Sequence, residues 1–511
     1  MISQINSIAF NGLDPVLVSV QVSIMNGNPG LVIVGLPDKA VSESKERIRV
    51  AINSIGLSMP AKRITVNLAP ADILKEGSHF DLPITLGILA GMETILPSSI
   101  DRVIAMGEIF LNGKIGKVNG VLPAAIHANA NDMILICPEE NGREAALASQ
   151  DLEIVAAGNL LSLINHLRGR QLLSRPETLQ IKDKFSEKQH YCLSEVKGQE
   201  DAKRALKIVA AGGHNMLMKG HPGTGKSMLA SALIGILPEL DGAEMLDAAI
   251  IQSLSGTLGE GTLSNKRPYR APHHSASMAA IVGGGRNAKP GEITLAHRGV
   301  LFFDEIAEFQ RGVLDALRQP LETGIVTIAR AEMHITYPAK FQFIAAMNPC
   351  KCGYAGDVGR QCNKVPHCVN DYNGKVSGPI MDRIDVIIDV ENVNPMLFIE
   401  KNKKRETSSE VLKHIIATRQ IQKDRYANLG FYLNSELNGS LVEEFCILKN
   451  DEMKKIMQDC IVKHRISMRG YTRILRLART IADLEAFKDI EKQHLLEAIS
   501  YRAGHTANTT F

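Results

Sequence analysis

The chain has 511 residues, of which 45% are hydrophobic and 22% charged, and its formal net charge is +3. This length predicts about three ordinary globular domains, and the near-neutral charge excludes binding to nucleic acid by bulk attraction alone. The longest apolar runs are too short to span a bilayer and no secretory signal pattern opens the sequence, so we expect a cytoplasmic protein without a membrane partner.

Residues 1–170 alternate strand-like and helix-like segments, which predicts a first α/β domain. The predicted strands are Val16–Ile24, Gly30–Gly35, Ile64–Leu68, Val103–Ile109 and Met133–Cys137, and the predicted helices are Asp38–Ile55 and Leu82–Leu89. A polar segment with Pro176 predicts a linker over 171–194. We expect a second α/β domain over 195–398 and, from apolar spacings of three and four residues, a helical domain over 399–511.

A phosphate-binding motif lies near the start of the second domain. Residues 220–227 fit G-x-x-x-x-G-K-[ST] between a predicted strand, Asn215–Lys219, and a predicted helix, Met228–Ile234. Glycines let successive backbone N–H groups point at phosphate oxygens, while Lys226 would reach the β- and γ-phosphates and Ser227 would hold Mg²⁺. The predicted nucleotide-binding residues are Gly220, His221, Pro222, Gly223, Thr224, Gly225, Lys226 and Ser227. The sequence therefore predicts a nucleoside triphosphate and Mg²⁺ as cofactors.

Two carboxylates, Asp304 and Glu305, end the apolar run Val300–Phe303, which is typical of a strand buried on both faces. We expect this strand next to the one that feeds the phosphate loop, with Asp304 at Mg²⁺ and Glu305 as the base for the attacking water. Phe341–Asn348 predicts another buried strand with a polar end. The alternative for both is a strand that simply ends in polar residues at the surface.

Four of the eight cysteines crowd into one short segment, at Cys350, Cys352, Cys362 and Cys368. Tetrahedral Zn²⁺ takes four sulfur or nitrogen ligands, and two closely spaced pairs reach that geometry. The cluster predicts structural zinc, with His367 as an alternative fourth ligand. The other interpretation is a loop with four reduced thiols.

The order of these motifs, continued by Arg383 and Arg469, resembles that of AAA+ ATPases. Longer sequence segments resemble those of one subgroup, the magnesium-chelatase-like YifB/ComM family. These segments are Val34–Asp38, Asn67–Asp72, Arg267–Ser277, Val282–Gly285, Pro290–Ile293 and Leu295–Glu305. The resemblance runs essentially from end to end. It implies an α/β fold with an N-terminal ribosomal-S5-like domain of the Lon proteolytic type, a central three-layer P-loop AAA+ domain and a C-terminal helical lid.

The resemblance also assigns catalytic roles, with ATP as the nucleotide. Asn348 would be the sensor-1 residue that positions water, and Arg383 the arginine finger that reaches the ATP of a neighbouring subunit. Arg469 would be sensor 2, with Arg473 as the fallback. A finger from a neighbour implies that the site forms only in an oligomer, and the family implies a hexameric ring whose pore is lined by inserts around Pro268–Gly285.

The Lon-like domain lacks the Ser–Lys dyad that the resemblance would require for proteolysis. His79 falls in the place of the nucleophile, one residue after Ser78, and Leu122 falls in the place of the lysine. Without an amine to take its proton, a serine hydroxyl is a poor nucleophile. We therefore expect a protease scaffold without protease chemistry, used for assembly or contact with DNA.

The implied function is an ATP-dependent DNA motor, a helicase for branch migration during competence and recombination of transforming DNA. The expected partners are DNA, bound without sequence specificity, and recombination proteins. Basic segments at Lys266–Arg270 and Lys401–Arg405 are consistent with phosphate contacts, although a solvated linker explains the second equally well. The alternatives are a magnesium-chelatase-type subunit, which would lack the N-terminal domain, and an ATP-dependent protein remodeller, disfavoured by the missing dyad.

Overall fold

The computed structural model describes residues 2–177, 191–259, 263–285, 289–329, 334–356, 362, 364–392 and 405–503. Most of the predicted linker (178–190) and most of the basic run Lys401–Arg405 (401–404) lie outside the described residues. Along the described chain, a first sheet with helices is followed by a second sheet with helices and then by helices alone. Among these helices, none combines the length and the apolar character needed to cross a bilayer.

The N-terminal unit, residues 2–170, is built on a mixed sheet. Its strands are β1 (Ile2–Asn11), β2 (Asp14–Met25), β3 (Gly30–Val34), β4 (Arg63–Ala69), β5 (Val103–Ala105), β6 (Glu108–Ile109), β7 (Ile115–Gly116), β8 (Ile134–Pro138) and β9 (Ile154–Ala157). Its α-helices are α1 (Lys39–Ser54), α2 (Asp81–Gly91), α3 (Val121–Ala130), α4 (Gly142–Ala145) and α5 (Leu160–Leu167). Within residues 2–170, seven strands form one sheet in the order β3-β4-β2-β1-β5-β8-β9.

Strand β1 has no counterpart among the predicted strands, although it lies inside the sheet between β2 and β5. Its inner positions include polar residues, which hide the alternation that predicts a strand. Ser3 and Ser7 are buried, and their hydroxyls donate to the carbonyls of Gly87 and Ala105. Hydrogen-bonded serines therefore occupy buried positions of this strand where apolar side chains would be expected.

The central unit, residues 191–392, holds the predicted phosphate loop. Its strands are β10 (Met216–Lys219), β11 (Tyr269–Arg270), β12 (Gly283–Gly284), β13 (Lys289–Pro290), β14 (Val300–Phe303), β15 (Ile325–Ala329), β16 (His334–Pro338), β17 (Gln342–Met347) and β18 (Val386–Asp389). Its α-helices are α6 (Glu200–Gly212), α7 (Lys226–Ile234), α8 (Gly242–Ser255), α9 (Met278–Ile281), α10 (Glu292–Leu295), α11 (Arg311–Ala316), α12 (Pro320–Thr323), α13 (His367–Asn373) and α14 (Gly378–Met381).

The parallel sheet of the central unit has the order β11-β14-β17-β10-β18 among the described strands. The prediction that the Asp-Glu strand, β14, lies next to the loop strand, β10, is wrong because β17 inserts between them. Parallel strands are joined by crossovers, so sequence order does not determine which strands are neighbours. The insertion places Asn348, at the end of β17, beside the loop, and Asp304 one strand further away.

The two faces of this sheet bury alternate residues in two different cores. Met216 and Met218 pack into a core shared with α6, α7 and the C-terminal helices, whereas Leu217 packs into the core that contains hairpin β15–β16. These helices are α15 (Ser408–Arg425), α16 (Ser440–Phe445), α17 (Asp451–His464), α18 (Met468–Leu484) and α19 (Lys492–Ala503). The C-terminal helices and the sheet therefore share one hydrophobic core.

The N-terminal unit packs against the central unit through α3 and α8. Leu122 of α3 is buried with Ala249 of α8 and with Leu258 in a small apolar cluster. The Ser253 hydroxyl of α8 donates to Glu144, and the Ser253 carbonyl accepts a hydrogen bond from the Gly120 N–H at 3.1 Å. Leu122, expected in the place of the dyad lysine, is thus part of an interface between the two units.

Candidate nucleotide site and cysteine cluster

The predicted phosphate loop joins β10 to α7, and its backbone depends on glycine. Gly223 and Gly225 have φ angles of +81° and +87°, a region that glycine enters without a steric penalty. Gly225 is the N-cap of α7, which begins at Lys226. The loop therefore ends at a helix N-terminus, where unpaired backbone N–H groups and the helix dipole favour a bound phosphate.

Lys226 is the first residue of α7, and its side chain lies back against the phosphate loop. Its Nζ donates to the carbonyls of Gly220 and His221 at 2.8 and 2.9 Å and to Oδ1 of Asn348 at 3.3 Å. Burial lowers the pKa of Lys226, while Asp304 and Glu305 oppose that shift. The ammonium is thus held by neutral acceptors at the place where phosphate oxygens would offer it charged ones.

Asp304 and Glu305 follow β14 at the same edge of the sheet as the loop. Asp304 Oδ2 accepts a hydrogen bond from the Ser227 hydroxyl at 2.8 Å, so the two predicted Mg²⁺ ligands are in contact. Both are oxygen donors, which is the ligand type that Mg²⁺ requires. Glu305 is exposed and has a φ angle of +52°, an uncommon conformation for a residue with a Cβ and one that clusters at functional sites.

Arg383 lies at the opposite edge of the sheet from the phosphate loop. It precedes β18, where Val386 pairs with Met216 at the start of β10, whereas the loop follows the end of β10. The four residues of β10 separate these edges by about 13 Å. Arg383 is buried, and its guanidinium binds Glu322 and the Pro379 carbonyl. Within one chain, Arg383 therefore faces away from the loop.

Arg469, at the start of α18, donates to the same carboxylate as Arg383. Its Nη2 lies 2.8 Å from Oε1 of Glu322, while Arg383 binds Oε2. The two arginines predicted from distant motifs thus meet at one side chain of α12. Glu322 was not predicted, because a single glutamate on a short helix carries no motif that would mark it.

Arg473, the fallback for sensor 2, forms a buried ion pair with Asp385. Its Nη1 lies 2.5 Å from Oδ1 of Asp385, and the Asn215 N–H donates to Oδ2 at 2.8 Å. Burial raises the pKa of Asp385, but Arg473 and His214 lower it by more, so the carboxyl pKa lies well below its usual range. The contacts of Arg473 are those of a residue that stabilises the fold.

Arg473→Ala is expected to destabilise the chain by about 3–5 kcal/mol, because it leaves the Asp385 carboxylate buried without its partner. Arg469→Ala is the matched control, one turn earlier on the same helix. Arg469 and Glu322 are 56% and 47% exposed, so losing this pair costs about 0–1 kcal/mol. Thermal unfolding of both variants checks the prediction, and equal losses would contradict it.

The four clustered cysteines meet in space. Their Sγ atoms all lie within 4.8 Å of one another, and those of Cys350 and Cys352 are 3.1 Å apart. Zinc–sulfur bonds of about 2.3 Å in a tetrahedron would separate the sulfurs by about 3.8 Å, so the donor set fits Zn²⁺. The set of side chains close enough together to bind one metal ion includes Cys368 but not His367, the alternative fourth ligand that the sequence left open.

Both arginines of the basic segment Lys266–Arg270 are paired with carboxylates of the chain itself. Arg267 pairs with Glu244 at 2.9 Å and also donates to two backbone carbonyls, and Arg270 forms a two-bonded pair with Glu292 at 2.6 Å. The contact of this segment with DNA stays a prediction. The carboxylates that neutralise it lie 22 or 23 positions from their partners, on other helices, and could not be foreseen from the segment itself.

Comparison with known proteins extends over nearly all of the chain. Residues 192–397 match the family model described as "Magnesium chelatase, subunit ChlI". Residues 20–141 match "Subunit ChlI of Mg-chelatase", and residues 405–502 match "Magnesium chelatase, subunit ChlI C-terminal". The three matches cover part of the first sheet, all of the parallel sheet of the central unit and nearly all of the C-terminal helices.

Individual relatives divide into full-length and partial matches. "Competence protein ComM" of Haemophilus influenzae is 43% identical over 498 residues, which cover 96% of each chain. "Uncharacterized protein YifB" of Escherichia coli is 39% identical over 98% of this chain and 97% of its own. The "Magnesium-chelatase 38 kDa subunit" of Rhodobacter capsulatus is 24% identical over 61% of this chain and 86% of its own.

Proposed function

The chain belongs to the YifB/ComM family of magnesium-chelatase-like AAA+ ATPases, and we propose that it is a hexameric motor that uses ATP to move on DNA. The family implies the ATPase activity. The observation that supports the finer proposal is the 43% identity with a competence protein over 96% of both chains. Branch migration during recombination of transforming DNA is the activity that we assign to this motor.

The proposed reaction is attack of water on the γ-phosphate of ATP. Lys226 would neutralise the β- and γ-phosphates, and Mg²⁺ held by Ser227 and Asp304 would supply further positive charge to the phosphate oxygens. Glu305 would take the proton of the attacking water, and Asn348 would hold that water in line. The contacts of Lys226 with Asn348 and of Ser227 with Asp304 support this grouping.

We propose that Arg383 and Arg469 complete the site of a neighbouring subunit. The position of Arg383 at the sheet edge opposite its own phosphate loop supports action in trans. A ring then brings the Glu322 face of one subunit to the loop of the next, and the γ-phosphate replaces Glu322 as the anion that both guanidiniums bind. Such head-to-tail contacts close into a ring when the rotation allows.

We propose domain boundaries at 1–170, 195–398 and 399–511 with a linker over 171–194, and an N-terminal domain of the Lon proteolytic type without proteolysis. His79 is half-buried, its Nε2 donates to the Ile8 carbonyl at 2.8 Å, and desolvation by the surrounding protein lowers its pKa to about 4. Leu122 is packed against α8. The Leu122 contact supports a role in holding the ATPase unit, and the whole chain should release no product from casein.

We also propose one structural Zn²⁺ per chain at Cys350, Cys352, Cys362 and Cys368. Cys368→Ser should abolish stoichiometric zinc, whereas His367→Ala should leave it unchanged, because the exposed His367 lies outside the sulfur cluster. Metal analysis of the purified chain by mass spectrometry checks both. Zinc retained by Cys368→Ser and lost by His367→Ala would contradict the ligand set.

The rate of ATP hydrolysis with different polymers tests the DNA motor. Single-stranded or forked DNA should stimulate the rate, and the stimulation should fall steeply with salt because it depends on phosphate contacts. Casein should have no effect. Stimulation by casein without stimulation by DNA would favour a protein remodeller, and stimulation by neither would contradict both.

We also propose that the protein acts in the cytoplasm. Its eight cysteines are all free thiols, which is typical of proteins in a reducing compartment.

A magnesium-chelatase-type subunit is the second candidate function, since the family models carry that description. The chelatase relative aligns with only 61% of this chain at 24% identity, whereas the competence protein aligns nearly end to end. The full-length match favours the DNA motor.

A further inference from the structure

The cysteine cluster lies against the phosphate loop. The carbonyl of Gly353, one residue after Cys352, accepts a hydrogen bond from Nδ1 of His221 at 2.8 Å. A Cβ at Gly353 would lie 2.6 Å from Cγ of Pro222, so this turn and the phosphate loop approach as closely as a glycine permits. Two loops that are far apart in sequence therefore share one packed contact.

On the loop side, this contact is made by His221 and Pro222, which belong to the predicted phosphate-binding loop itself. The His221 carbonyl accepts from Lys226 Nζ at 2.9 Å and from the Thr224 hydroxyl at 3.0 Å. The ring of His221 points the other way, to Gly353. Any shift of the turn at Gly353 would thus move a residue to which the loop lysine is bonded.

On the cysteine side, the turn lies between two parts of the central unit, the end of β17 and α13. Cys350 is buried two residues after Asn348, and its carbonyl accepts the Gly353 N–H at 2.9 Å. Cys368 is in α13, whose Tyr372 is buried in the core beneath hairpin β15–β16. A metal bound by all four thiolates would fix the turn to both the end of β17 and α13.

We propose that Zn²⁺ at the four cysteines braces the phosphate loop through the contact of Gly353 with His221 and Pro222, so that zinc occupancy regulates nucleotide affinity. The inference rests on the zinc site of the proposed function and adds an allosteric role to it. Linkage is reciprocal, so bound nucleotide must hold zinc more tightly by the same factor. Coupling of this kind amounts to about 5- to 150-fold in affinity.

Two glycines of the same segment provide a matched pair of variants. Gly353 and Gly356 have φ angles of +85° and +87°, so alanine is similarly strained at both. A Cβ at Gly353 meets Pro222, whereas a Cβ at Gly356 meets nothing within 4 Å among the described residues. Gly353→Ala therefore disturbs the brace and Gly356→Ala does not, while both keep the four cysteines.

The test measures the dissociation constant of a fluorescent ATP analogue with the full chain, zinc-loaded and after chelation, with zinc content and circular dichroism recorded. Chelation should weaken binding at least about 5-fold. Gly353→Ala should bind weakly while retaining zinc, and Gly356→Ala should bind like the parent chain. In the unstripped chain, ADP should slow zinc transfer to a chelator, and His221→Ala should remove that protection.

Equal nucleotide affinity with and without zinc would overturn the brace and leave the zinc site standing. Equal behaviour of the two alanine variants would overturn the contact at Gly353 as its route. A chain that takes up no zinc would overturn the metal assignment itself. None of these outcomes changes the expected stimulation of hydrolysis by DNA, so the brace and the motor fail separately.

Discussion

Glu305→Gln is expected to lower the rate of ATP hydrolysis by about two to four orders of magnitude while ATP still binds. Among the described residues, the Glu305 side chain makes no hydrogen bond to the phosphate loop like those of Lys226, so ATP binding should survive the loss of the base. Lys226→Ala should instead lose binding and hydrolysis together, because the loop then lacks its cation. Nucleotide binding and phosphate release, measured on the same preparations, separate the two effects.

Glu308→Gln is the matched control for the base. Glu308 ends the 3₁₀ turn Ile306–Glu308 that directly follows Glu305, and its carboxylate lies 3.5 Å from Nζ of Lys375. Its replacement removes the same charge close to the site without removing the base, so hydrolysis should stay near the parent rate. Normal hydrolysis by Glu305→Gln would show that the base has been assigned to the wrong residue.

Arg383→Ala is expected to reduce hydrolysis by about 10³- to 10⁵-fold, the usual range for an arginine finger. Mixed with the inactive Glu305→Gln chain, it should recover activity. In rings assembled at random from equal amounts of the two variants, about a quarter of the interfaces combine a subunit that keeps Glu305 with a neighbour that keeps Arg383. Sedimentation of each variant with ATP verifies that rings still form.

Activity recovered on mixing would place Arg383 at a neighbour's ATP. A mixture as inactive as its components, with rings intact, would contradict that role. The structure makes this test informative because Arg383 and the loop occupy opposite edges of one sheet. The contact of Arg383 with Glu322 is then the state of a subunit whose finger has no phosphate to bind.

Local patterns predict the parts of the site that depend on a single strand and its following turn. The phosphate loop, the Asp-Glu strand and the strand before Asn348 occur at the predicted positions, because burial on both faces leaves a continuous apolar run. The order of these strands was not predictable from the same runs. Neighbour relations depend on crossovers, and β17 entered the place expected for β14.

Contacts between distant segments carry no local signal. Glu322 joins Arg383 and Arg469 across 61 and 147 positions, and His221 meets Gly353 across 132. For the same reason, the segment Lys266–Arg270 gives no sign that Arg267 pairs with Glu244 of α8 and Arg270 with Glu292 of α10. Motifs thus predict which groups a site needs, and tertiary packing decides which of them are already paired.

Movement of a four-way DNA junction with fluorescently labelled arms is the most direct measurement of the central claim. With ATP and Mg²⁺, the parent chain should convert the junction into two labelled duplexes, whereas Glu305→Gln should bind the junction and leave it intact. Conversion should stop when ADP replaces ATP. DNA-stimulated hydrolysis without any movement of the junction would contradict a motor on branched DNA.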